Sequence, residues 1–113
     1  MILKKRVAIL IPTHSNADKN GIREKIDGDE YVTTYEELLK QFGGWTHDPT
    51  VMKGGWIDNN DGGKKYLGET TTIYCDYDDT ETNKQFLNEY KEILKVRFRQ
   101  KEIYMTTSPI EVI

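Results

Sequence analysis

Tyr66-Leu67-Gly68-Glu69-Thr70-Thr71-Thr72-Ile73-Tyr74-Cys75-Asp76-Tyr77-Asp78 is the stretch on which the fold turns. β-Branched and aromatic residues dominate it, the composition that a pleated, half-buried strand prefers. Side chains alternate across a strand. Thr71, Ile73, Cys75 and Tyr77 therefore share one face, and Thr70, Thr72, Tyr74 and Asp76 share the other.

Toward the C-terminus a helix opens at Asp79 or Thr80, with a further capping pattern at Thr82-x-x-Gln85. Its apolar stripe is Phe86, Leu87, Tyr90, Ile93, Leu94 and Phe98. Lys91, Lys95, Arg97 and Arg99 crowd its end, where cations meet the negative pole of the helix dipole. A last strand runs from about Glu102 to Thr107; Pro109 interrupts it, and Ile110–Ile113 continue as an edge piece.

Toward the N-terminus, Asp61-Gly62 marks a hairpin turn. Before it lies an irregular second strand. It starts at Trp45-Thr46, loops through His47-Asp48-Pro49 and resumes at Gly54–Asp58. Thr34-x-x-Glu37 reads as a capping box and Gly43-Gly44 as a helix stop. Between them Tyr35, Leu38, Leu39 and Phe42 form one stripe, which predicts a helix over Thr34–Phe42. Thr13–Val32 is long and polar, with turn signals at Asn20-Gly21 and Asp27-Gly28. The first strand is Arg6–Thr13, whose unbroken run Val7–Ile11 suits a central strand.

The order is β-α-β-β-α-β, the split βαβ or ferredoxin-like α+β arrangement. It gives a four-stranded antiparallel sheet with strands 1 and 3 central and both helices on one face. Leu38, Leu39, Phe42, Phe86, Tyr90, Ile93 and Leu94 are the expected core of the helical layer. The other face would present Ala8 and Leu10, and burying it between two copies predicts a homodimer.

The chain has 113 residues, enough for a single domain over 1–113, and a formal net charge of −3. That mild acidity argues against a nucleic-acid partner. RNA-binding members of this fold carry aromatic pairs on their central strands, whereas strand 1 offers Val, Ala, Ile and Leu. No stretch reaches the roughly 18 apolar residues of a membrane span, and no signal-peptide core is present. The single cysteine, Cys75, has no internal disulfide partner, and a cytoplasmic location is expected.

Phe42-Gly43-Gly44-Trp45-Thr46, Gly54-Gly55-Trp56 and the C-terminal Gln100-Lys101-Glu102-Ile103-Tyr104 resemble small prokaryotic and phage α+β proteins. The likeness spans residues 34–113 and implies the ferredoxin-like fold; it implies no activity.

Several patterns mimic chemistry. Asp76-x-Asp78-x-Thr80 matches the opening motif of haloacid-dehalogenase-type phosphatases, but 33 residues are too few for the βα units that complete such a site. Asp58-Asn59-Asn60-Asp61-Gly62 with Glu69 begins like a calcium loop, but its flanks read as strands. Cys75 is an inward core residue with nothing to lower its pKa. Lys91–Lys101 holds five cations against one anion and reads as a solvated helix end. His14 and His47 are placed in loops, and no spacing rule joins them into a metal site.

No catalytic set, metal or cofactor is therefore expected. The chain reads as a non-enzymatic binding or assembly module, an inhibitor or accessory protein being one form of it. Its partner would be an unidentified protein or small molecule. Trp45, His47, Trp56 and His14 are the candidate binding residues, because aromatic area with a polar tip suits binding hot spots. The alternative is a small enzyme or a metabolite- or metal-binding protein using the loops around His14 and His47.

Overall fold

The computed structural model describes residues 2–113. The elements run β1 (Ile2–Pro12), α1 (Gly28–Phe42), β2 (Thr46–Asp58), β3 (Lys64–Tyr77), α2 (Glu81–Arg97) and β4 (Met105–Val112). One antiparallel sheet has the order β2-β3-β1-β4. This is the ferredoxin-like α+β arrangement, with β1 and β3 central. Val7 sits opposite Cys75 and Ile9 opposite Ile73. These residues, with Ile11 and Tyr77, are buried under the helices. Leu38, Leu87, Tyr90, Leu94, Phe98 and Ile103 close the core.

The helical layer differs from expectation at its edges. Leu39 and Ile93, both expected in the core, are exposed. Helix α1 starts at Gly28, six residues before Thr34. Its first turn carries Asp29 and Glu30 at the positive pole of the dipole. Thr34 is not a cap. Its hydroxyl donates to the Glu30 carbonyl at 2.9 Å and accepts from Arg97 of α2, also at 2.9 Å. Arg97 pairs with Glu37 as well. Both residues of the apparent capping box thus serve the neighbouring helix. The extra turns bring Tyr31 to the core, where its hydroxyl donates to the Pro12 carbonyl. In α2 the cap is Thr80, whose side chain accepts from the Asn83 amide at 3.2 Å.

The strands also run longer than their apolar cores. β1 begins at Ile2, because Ile2–Lys5 pair with Pro109–Val112 of β4. Pro109 is tolerated inside β4, which is an edge strand. β2 is one strand with a register shift between Asp48 and Met52, so His47 lies in a strand opposite Ile73 and not in a loop. Beyond Thr70, which pairs with Pro12 at the end of β1, β3 continues with β2 alone as a projecting hairpin.

The motif mimics are structural. Asp76 is held by Arg6 at 2.7 Å and Asp78 by Lys4 at 3.3 Å. Asp58 accepts from the amide of Asn60 and, through its carbonyl, from those of Asp61 and Gly63, closing the hairpin turn. No helix among the described residues is long and apolar enough to cross a membrane.

Candidate functional site

Trp45 and His47 enter β2 beside α1 and form a structural cluster. Trp45 stacks on Tyr35 with ring centroids 3.9 Å apart and planes 7° apart. His47 Nδ1 meets the Tyr35 hydroxyl, and its Nε2 lies 2.7 Å from Thr71 Oγ1. Tyr31 packs alongside at 6.1 Å. Both imidazole nitrogens are engaged within the fold, and neither is free to hold a ligand. Burial lowers the His47 pKa below the ordinary value, although nearby Asp48 pulls the other way. Cys75 is likewise inert: burial pushes its thiol up to about 12.

His14 and Trp56 come together elsewhere. Where β1 ends, the chain turns out into the segment 13–27 and returns beside β3. Ser15 anchors this segment: its amide donates to the Glu24 carbonyl at 2.7 Å, and its hydroxyl accepts from the Glu24 amide at 2.9 Å. His14 bridges to Lys25, the Ile26 amide donates to the Thr13 carbonyl, and Ile26 is buried. The connection from α2 to β4 is laced to the same segment. Asn16 Nδ2 donates to Gln100 Oε1 at 3.2 Å, and Gln100 Nε2 donates to the His14 carbonyl at 2.8 Å. The Asn16 side chain also accepts from the Lys101 amide, and the Asn16 amide donates to the Arg99 carbonyl. Arg99, at φ +51°, supplies the left-handed turn that aims this connection toward β1.

Between these two segments and the projecting hairpin lies a cleft of about 420 Å³. That volume is within the range of small-molecule sites. Leu10, Pro12, Ile103 and Tyr104 give it an apolar wall. Leu10 and Pro12 lie on the sheet face turned away from the helices, since Val7, Ile9 and Ile11 point inward. At the hairpin end Trp56 and Tyr66, opposite each other across the strands, stack at 4.8 Å with planes 15° apart. Gly54 and Gly68 form the adjoining pair on the same face. At the loop end sits a charged group. Glu69 Oε2 is 3.7 Å from Arg23 Nη2 and 4.0 Å from His14 Nδ1. The His14 ring also lies 2.8 Å from Thr13 Oγ1.

The cleft therefore joins an aromatic surface to a carboxylate flanked by an arginine and an imidazole. Such a combination suits a ligand with a flat ring at one end and opposite charges at the other. Of the four candidate residues, His14 and Trp56 line it, and Trp45 and His47 do not. Sequence reasoning missed Arg23, Tyr66, Glu69 and Gln100. The alternation along β3 puts Tyr66, Gly68 and Thr70 on one face, a signal that could have flagged the aromatic end. Arg23 has no such signal, since its place depends on how the 13–27 segment folds back. Among the described residues no group of three or more His, Cys, Asp or Glu is placed to hold a metal ion.

No protein-family description matches this chain, and no curated protein matches it. Among solved structures it is similar to a phage SAM lyase in complex with S-methyl-5'-thioadenosine, with a TM-score of 0.63 and 11% identity. The likeness covers 93% of this chain and 80% of that chain, and at this identity it is a likeness of fold. The similar structure is a phage protein, in line with the coarse resemblance drawn from the sequence. The expectation of a non-enzymatic binding or assembly module is corrected by the same finding. Over nearly its whole length the chain shares its fold with a phage lyase, and the alternative of a small enzyme or metabolite binder is taken up as a proposal below.

Proposed function

We propose that this chain is a small enzyme that binds a sulfonium nucleoside of the S-adenosylmethionine class in the cleft and cleaves it. The observation that carries the reading is the pairing, in one cleft, of the Trp56–Tyr66 stack with the Glu69–Arg23–His14 group. S-Adenosylmethionine has a flat base, a cationic sulfur, and an ammonium and a carboxylate on its amino-acid end. Glu69 attracts the ammonium, whose charge persists through the reaction, and Arg23 offers the planar fork that suits the carboxylate. The fold likeness to a lyase bound to S-methyl-5'-thioadenosine supports the same reading.

The two molecules define the step. S-Methyl-5'-thioadenosine keeps the methyl and the adenosyl group on sulfur. The bond that breaks is therefore the one between sulfur and the γ-carbon of the amino-acid chain, and its electron pair goes to sulfur. The γ-carbon is satisfied within the substrate. Either the substrate's own carboxylate closes on it to give a lactone, or the neighbouring carbon gives up a proton to a solvent water as the C–H pair forms the double bond of an alkene. Identification of the four-carbon product reads which. In both cases the sulfonium charge disappears as the bond breaks. A wall of Leu10, Pro12 and Tyr104 solvates that fading charge less well than water does, and so favours the transition state over the bound cation.

The test is incubation of the purified protein with S-adenosylmethionine and chromatography of the products. S-Methyl-5'-thioadenosine should accumulate. Glu69→Gln should slow it by about tenfold or more, equivalent to ~1.4 kcal/mol of lost transition-state stabilisation. S-Adenosylmethionine left intact at high enzyme concentration overturns the reading.

A further inference from the structure

The cleft has two chemically distinct ends, and the charged end does not explain the other. At the hairpin end the Trp56 and Tyr66 rings form a double plate, and Trp56 is still 39% exposed. Beside the plate, on the same sheet face, Gly54 and Gly68 stand directly opposite each other. A Cβ built on Gly54 meets no atom within 4 Å, and one built on Gly68 meets only the tip of Arg23 at 3.5 Å. Neither glycine has the positive φ that would make it obligatory for the backbone. Steric crowding does not require them, and glycine weakens a strand interior. What they provide is a bare backbone floor next to an aromatic plate, inside a cleft large enough for a nucleoside.

We infer that the hairpin end of the cleft is a purine-ring subsite, in which the base lies over the Gly54–Gly68 floor against the Trp56–Tyr66 plate. This assignment rests on the nucleoside reading above and sets the orientation of the ligand. The base goes toward the hairpin, and the charged groups go toward Glu69 and Arg23. Tyr66 has Trp56 on one face and Lys64 Nζ over its ring at 5.0 Å from the centroid, so it backs the plate, and the outer face of Trp56 supplies the stacking. Trp56 and Tyr66 are accordingly the residues that select a nucleoside over a simple sulfonium such as S-methylmethionine.

The chain has two tryptophans, so Trp45→Phe leaves Trp56 as the only reporter. Trp45 stacks on Tyr35 away from the cleft, and phenylalanine keeps a ring there. In that protein S-methyl-5'-thioadenosine should quench Trp56 emission saturably, and S-methylmethionine should not. Gly54→Val provides the second arm. Valine suits a strand and has open space at this site, so the melting temperature should hold or rise. Affinity for S-methyl-5'-thioadenosine, measured by calorimetry, should nevertheless fall by about tenfold or more. Opposite signs for stability and binding are not expected of a merely structural residue. If Gly54→Val does not fold, Tyr66→Leu takes its place. Calorimetric binding with unchanged Trp56 emission and undiminished affinity in the variant overturns the subsite and leaves the nucleoside reading standing. Absence of any binding of S-adenosylmethionine or S-methyl-5'-thioadenosine to the wild-type protein overturns both.

Discussion

Both ring nitrogens of His47 have partners, Tyr35 on one side and Thr71 on the other, and the ring is half-buried. Burial disfavours the charged imidazolium and lowers its folded pKa below the ordinary 6.5; Asp48 opposes this in part. The folded protein thus binds fewer protons here than the unfolded chain. The stability this group contributes is present above the unfolded pKa and is lost as pH falls through it toward the folded value. The urea midpoint should drop between about pH 7.5 and pH 5.5, and His47→Asn should flatten that drop. An equally steep fall in the variant contradicts the assignment. At this scale the sequence could nominate His47 but not place it. A histidine beside an aspartate looks the same whether it faces solvent or a tyrosine hydroxyl from a helix twelve residues earlier.

Helix α1 is where element-level reading and structure diverge most. The stripe Tyr35, Leu38, Leu39, Phe42 has helical spacing, yet a stripe two residues wide does not say which of two adjacent leucines faces inward. Leu38 is fully buried and Leu39 is 53% exposed. The extra turns from Gly28 rotate the true face to Tyr31, Thr34, Leu38 and Phe42. Leu38→Ala should cost ~2–5 kcal/mol in chemical denaturation as a core cavity. Leu39→Ala should stay within about 0.5 kcal/mol, as surface changes do. Equal costs at the two positions would mean that the helix packs by the face its periodicity alone suggests. Where an element's signals are local they were legible. Thr80 caps α2 and Gly43 ends α1 in the left-handed conformation. Thr34 and Glu37 misled because their partner, Arg97, lies 63 and 60 residues further along.

For the whole molecule, the β-α-β-β-α-β order was readable because each strong apolar run coincides with a central strand, β1 or β3. The cleft was not readable as a unit. His14, Arg23, Trp56, Glu69 and Gln100 are scattered along the chain and meet only because the 13–27 segment folds back and is laced to the turn after α2. We propose that this cleft, and not the Trp45–His47 cluster, receives a nucleoside. Hydrogen–deuterium exchange with and without S-methyl-5'-thioadenosine tests it most directly. Exchange should slow in residues 66–70, 13–25 and 100–104, with the start of β2 unchanged. Protection confined to residues 45–48, or none anywhere at saturating ligand, would contradict it.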